Sequence, residues 1–168
     1  VTARGGKVLY ARDGGEVAQF IIDLATERGA EIIVKSKSMT TEEIELNHAL
    51  EAAGIETLET DLGEYIIQLA GTGPSHIIVP AVHLKKEEIA DLFSEKLHID
   101  APSDPIELAR IARETLRKKF LDADMGISGA NFLVAETGSL EIGRVELTPS
   151  PLPRISAQRF LQPLHGTN

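Results

Sequence analysis

Short β-branched apolar runs alternate along this chain with segments whose apolar residues recur every three or four positions. The first run, Lys7-Val8-Leu9-Tyr10, predicts a strand. Val17, Phe20, Ile21, Leu24 and Ala25 then fall at i, i+3, i+4, i+7 and i+8, one face of a helix, and Gly29 stands where that helix would stop. Ile32-Ile33-Val34 predicts the second strand. In the helix that follows, Thr40 and Glu43 are spaced as a capping box, and Met39 and Ile44 as a hydrophobic staple. Leu46, Ala49, Leu50 and Ala53 form its inner stripe, and Gly54 ends it. Residues 55–58 predict a third strand and residues 63–70 a short helix, before the break Gly71-Thr72-Gly73-Pro74. His76-Ile77-Ile78-Val79 predicts a fourth strand, followed by a helix over 85–97. Asp104-Pro105 opens another helix, cap plus first-turn proline, that runs to Leu121.

Strand–helix alternation of this kind predicts an α/β protein: a Rossmann-like, mostly parallel sheet with helices on both faces. The segment Met125 to Leu140 has a different texture. It reads as a glycine-rich loop, the strand Phe132 to Ala135, the turn Glu136-Thr137-Gly138-Ser139 and a returning strand. After residue 140 the texture changes again, and Pro149, Pro151, Pro153 and Pro163 suit an extended tail. The expected organisation is therefore one domain over 1–140. Residues 141–168 then form a divergent tail, partly disordered or a broken-off final part of the sheet.

Composition narrows the function classes. The chain has 168 residues, of which 42% are hydrophobic and 26% charged, ordinary for a globular domain with a core. Its net charge of -9 argues against nucleic acid or an anionic membrane as partner. No apolar run approaches the roughly 20 residues of a membrane span, and no signal-peptide pattern is present, so a cytoplasmic location is expected. With no cysteine in the chain, disulfides, thiol catalysis and cysteine-held metal or iron–sulfur sites are excluded within it.

In a parallel sheet the loops after the strands share one edge, and ligands bind there. That edge should gather Arg12 to Gly15, Lys35-Ser36-Lys37-Ser38, Thr60-Asp61 and Pro80 to His83. Two lysines and two serines between a strand and a helix start suit a carboxylate or phosphate; the competing reading is a polar turn in which Ser38 or Thr40 caps the helix. No Walker or GxGxxG fingerprint occurs, so no nucleotide is implied. His83 directly follows a strand, where it is a candidate general base or a backbone-bonding partner. Glu42, Glu45 and His48 are three apart, which allows a metal or proton-transfer site, but a solvated helix face is the preferred reading and no metal is assigned. Gly126 and Gly129 permit close backbone approach to a ligand, with Ser128 and Asn131 as further candidate contacts, or the segment is a tight crossover into the sheet. Glu136, beside Thr137, Gly138 and Ser139, is a candidate base or nucleophile, or an acceptor that holds its own turn.

Three long stretches carry a resemblance. KSKSMTTEEIELNHALEAAGIETLETDLGEYIIQL, PSHIIVPAVH and DMGISGANFLVAETGS strongly resemble the LUD domain of bacterial lactate-utilisation proteins, most of all that of their iron–sulfur subunit. The resemblance covers residues 1 to 140 and ends where the chain departs into Leu140-Glu141-Ile142-Gly143-Arg144 and the proline-rich tail. It implies a fold similar to the sugar-phosphate isomerase and CoA-transferase group. It also implies a role in oxidising L-lactate to pyruvate within a complex of three proteins, whose other subunits are the expected partners. The full family subunit is implied to carry two four-iron clusters in a cysteine-rich region, which this chain lacks. No catalytic role is carried over to any residue.

Three functions follow as expectations. The first is a domain of a lactate-oxidising electron-transfer complex, binding a small carboxylate or a partner subunit. The second is a stand-alone isomerase- or transferase-like enzyme, in which Glu136 acts on an anion gripped by Lys35 and Lys37. The third is a truncated remnant without activity. A homo-oligomer is compatible with all three.

Overall fold

The computed structural model describes residues 2, 6–73, 75, 79–134, 136–141 and 156–157. Among the described residues the architecture is α/β, built from six helices and a three-stranded parallel sheet. Helix α1 spans Gly14–Glu27, strand β1 Ile32–Lys35, helices α2 Met39–Glu43 and α3 Leu46–Ala52, and strand β2 Glu56–Glu59. Then come α4 Leu62–Ala70, α5 Lys86–Leu97, α6 Pro105–Asp122 and β3 Met125–Ile127. The sheet order is β2-β1-β3, with Lys35 level with Glu59 on one side and Ile127 on the other. A separate antiparallel sheet joins β4 Phe132–Val134, β5 Ser139–Glu141 and β6 Ser156–Ala157.

Two apolar clusters hold these elements. Ile33 of β1 and Met125 of β3 pack with Ala18 and Ala25 of α1 and Leu46 and Leu50 of α3. Tyr65 and Ile66 of α4, Phe93 of α5 and Leu108 and Ala112 of α6 form the second, with Leu58 of β2 against it. Gln68 of α4 also protects the outer edge of β2: its side chain accepts from Glu59 N at 3.0 Å and donates to Thr57 O at 2.6 Å. Backbone groups on the side of β2 that faces away from β1 are thus satisfied by a helix side chain.

Several expectations are corrected. Lys7 to Tyr10 form no strand, and Val8, Leu9 and Tyr10 are exposed. A strand needs a partner ladder as well as apolar residues, and residues 7–10 pair with none of the described strands. The inner face of α1 keeps Ile21, Leu24 and Ala25 of the expected stripe and adds Ala18 and Ile22, while Phe20 is exposed. The helix expected from Thr40 onward is two helices. Ser38, not Thr40, caps α2, which places Met39 inside the helix and exposed. Glu45 takes a left-handed conformation, φ 52 and ψ 40, that separates α2 from α3. Met125 to Ile127, expected within a loop, pairs in parallel with β1. Most of the fourth strand, His76 to Ile78, lies outside the described residues, and Val79 begins a turn. Ala135 and, apart from β6, the tail after residue 141 also lie outside them. The helices expected near 63–70, 85–97 and 104–121 are present, with Asp61 and Asp104 as N-caps.

Candidate functional site

Because β1, β2 and β3 run the same way, their C-terminal ends release the loops 36–38, 60–61 and 128–131 from one edge. Ser36 N donates to Ile127 O at 2.9 Å, and Thr60 N donates to Lys35 O at 2.9 Å, which ties the three exits together. Ser36 Oγ donates to Ser128 Oγ at 2.9 Å, and Ser128 Oγ reaches Gly129 O at 3.2 Å. Gly129 is there because space is short: a Cβ on it would stand 3.1 Å from Ser38 Oγ. Lys35, Ser36, Lys37, Ser38, Asp61, Ser128 and Gly129 are therefore gathered at one edge, while Gly126 lies within β3, level with Val34.

Both lysines of this edge already have partners. Lys35 is 1% exposed; its Nζ lies 2.7 Å from Glu59 Oε1 and donates to Thr41 Oγ1 at 2.9 Å. Lys37 Nζ is paired with Glu64 and lies 3.8 Å from Glu42 Oε1. A buried ion pair costs desolvation that only close geometry and further hydrogen bonds offset. Here Asn47 Nδ2 supplies one of these, donating to Glu59 Oε1 at 2.8 Å. Ser38 and Asp61 are likewise engaged as helix caps, and Asp61 Oδ1 accepts from Gly63 N and Glu64 N at 3.1 and 3.3 Å. An anion arriving at this edge meets hydroxyls and backbone groups, with the lysine charge matched by carboxylates beneath.

Beside the edge, α2, α3 and α4 enclose a groove of about 480 Å³. Glu42, Glu45, Asn47, His48, Glu51, Glu59 and Glu64 line it, with Leu46 and Ile67 as apolar lining. Burial, together with the nearby Glu64 carboxylate, pushes the Glu42 carboxyl above its ordinary range, and Lys37 pulls back only in part. The break at Glu45 removes the continuous helical spacing that would have placed Glu42, Glu45 and His48 in register. Among the described residues, no group of three His, Cys, Asp or Glu is placed to hold a metal.

The remaining candidates lie elsewhere. His83 sits exposed in the turn after Val79, its Nδ1 2.7 Å from Ser75 Oγ. Glu136 is exposed in the turn between β4 and β5, where Gly138, at φ +70, donates its N–H to Val134 O at 2.8 Å. Thr137 Oγ1 and Ser139 Oγ bond each other at 2.9 Å within that turn. Its strand pairs antiparallel, so Glu136 does not leave the parallel edge, and no hydrogen bond or ion pair joins it to Lys35. Asn131 is exposed next to β4. Glu59, Glu64 and Asn47 were not anticipated. A glutamate closing a short strand looks like any solvent-facing residue; the one hint was its level with Lys35 across two neighbouring strands.

The profile of the LUD domain family matches residues 1–142. Curated relatives from Bacillus cytotoxicus, Bacillus thuringiensis and Bacillus cereus, each named lactate utilization protein B, are 51% identical over 140 residues. The match covers 83% of this chain and 30% of each relative, so the chain spans less than a third of their length. No solved structure matches the chain.

Proposed function

The chain belongs to the LUD domain family, and from that we propose that it serves lactate utilisation as a recognition domain, binding a small carboxylate or another subunit of a lactate-oxidising complex. The observation that carries this is the identity of 51% to relatives named for lactate utilisation, over a stretch that includes every loop of the parallel edge. On this reading the domain's part is binding, and an iron–sulfur cluster held by cysteine would lie outside it, since the chain contains no cysteine. Two four-iron clusters belong, on this reading, to the remaining length of a full subunit in the cytoplasm. The helix-flanked sheet is taken as akin to that of sugar-phosphate isomerases and CoA-transferases. A carboxylate would be held by Ser36, Ser128 and the backbone around Gly129, whose hydroxyls and N–H groups suit oxygen acceptors.

The test is calorimetric titration of the chain with L-lactate, with pyruvate and with the companion subunits of a lactate-utilisation operon. Saturable binding of at least one, weakened by Ser36→Ala with Ser128→Ala, is expected. Absence of binding to all of them rejects the proposal.

A further inference from the structure

Helix α6 has two faces of different character. Its inner face packs Leu108 and Ala112 into the second apolar cluster, with Ile111 and Leu116 beside them. The chain as a whole carries a net charge of -9, yet the outer face is cationic. With about 3.6 residues per turn, Ile106, Ala109, Arg110, Arg113, Arg117 and Leu121 fall on one stripe, and all are exposed, Ile106 by 78%. That stripe carries three arginines and no carboxylate. Arg110 is held by Glu107 at 2.9 Å and Glu114 at 2.7 Å, from the flank of the stripe. Arg113 and Arg117 pair with no carboxylate among the described residues.

An apolar pit of about 150 Å³ opens beside the N-terminal half of this stripe. Pro105, Leu108 and Ala109 form its α6 wall, Leu62 and Ile66 of α4 and Phe93 of α5 line the rest, and Lys86 adds a further cation. An apolar space of roughly that size takes a benzene-sized group. Pit and arginines are in line. Arg113 is four residues past Ala109 and Arg117 eight, about 6 and 12 Å along the axis at roughly 1.5 Å per residue. A second helix lying alongside presents its residues at the same pitch. An apolar side chain seated in the pit then sets the residues four and eight positions on against the two arginines. Arginine and apolar groups without Asp or Glu form the composition of protein interfaces. The arginine forks fix the sign of what they meet, since they pair bidentately with carboxylates.

We propose that the outer face of α6 and its pit dock an acidic amphipathic helix of a partner protein, one apolar side chain entering the pit and carboxylates meeting Arg113 and Arg117. This face is separate from the serine-lined parallel edge. Failed lactate and pyruvate titrations therefore leave it standing, and its partner need not be a lactate-utilisation subunit.

The probe is a fluorescein-labelled, alanine-based helical peptide with one leucine and glutamates four and eight residues after it, followed by anisotropy against the whole chain. Saturable binding that weakens with added salt is expected. Replacing the peptide leucine by alanine should weaken it on the order of tenfold, the worth of one buried aliphatic side chain. Arg113→Glu with Arg117→Glu should weaken it by on the order of tenfold or more, and should in turn bind a peptide with lysines in place of the glutamates. Arg113→Gln with Arg117→Gln, which removes charge without reversing it, should weaken binding severalfold and serves if the reversed pair does not fold. No saturable binding, equal affinity for the leucine and alanine peptides, or unchanged affinity in the folded variants overturns the proposal. Tighter binding to phosphatidylserine vesicles or duplex DNA than to the peptide overturns it in favour of those surfaces. Self-association by sedimentation that the arginine changes abolish overturns it in favour of a second copy of the chain.

Discussion

Glu42 is a carboxyl whose surroundings oppose its charge. It stands partly buried beside Glu64, with Lys37 Nζ at 3.8 Å and already paired to Glu64. Its pKa in the folded chain is raised above the ordinary 4.5. Linkage then sets a sign: the folded state prefers the protonated form, so this residue's contribution is best below pH 4.5 and is lost as pH rises through the raised value. Glu42→Gln keeps the shape and removes the charge. Its melting temperature should exceed the parent's at pH 7, and the difference should vanish below pH 4.5, as followed by circular dichroism. A parent more stable than the variant at pH 7 would show that the Lys37 contact outweighs burial. Nothing in the sequence disclosed this, because EEIEL reads as a solvated helical face until Glu64 arrives from another helix.

At the scale of elements, the sequence signals that worked were local and those that failed needed a neighbour. Asp104 announces α6 because the chemistry of an N-cap is contained within three residues. Lys7 to Tyr10 misled because an apolar run carries no information about whether a ladder is free to receive it. Met125 to Ile127 was missed for the converse reason: a short stretch with a central glycine becomes a strand only because β1 offers its open side. Glu45 was unreadable, since a left-handed residue between two good helical patterns leaves the apolar stripe intact. Where elements meet, close contact is testable. Gly14 opens α1 against the α2–α3 junction, and a Cβ there would lie 2.5 Å from Ile44 Cγ2 and 2.9 Å from Ile44 Cβ. Alanine should gain up to about 1 kcal/mol in helix propensity. It should lose about 1–3 kcal/mol to overpacking, because a β-branched side chain cannot swing clear. Gly14→Ala is therefore expected to lower the urea midpoint; a raised midpoint would mean that α1 shifts freely at its start.

Across the whole molecule, the question is whether the two apolar clusters act as one. The first gathers α1, β1, α3 and β3, and the second gathers α4, α5 and α6. Between them runs the β1–β2 ladder. Ile33 of β1 belongs to the first cluster, its register partner is Thr57, and the next residue, Leu58, packs on the second. The Lys35–Glu59 pair closes the same ladder at the site edge. Breaking either cluster should therefore loosen the strands on which the other rests. The chain provides a probe for this, having no tryptophan and two tyrosines. Tyr10 is 90% exposed, whereas Tyr65 is 2% exposed with its ring centroid 6.3 Å from that of Phe93. The near-ultraviolet dichroism thus reports the second cluster. Leu50→Ala removes a fully buried side chain from the first cluster, at a cost of about 2–5 kcal/mol. If the ladder couples the clusters, the Tyr65 signal in Leu50→Ala shifts to lower urea together with the far-ultraviolet signal, in a single transition. If Tyr65 keeps its original midpoint while the far-ultraviolet curve splits in two, the clusters unfold independently. The site edge would then rest on a hinge between them.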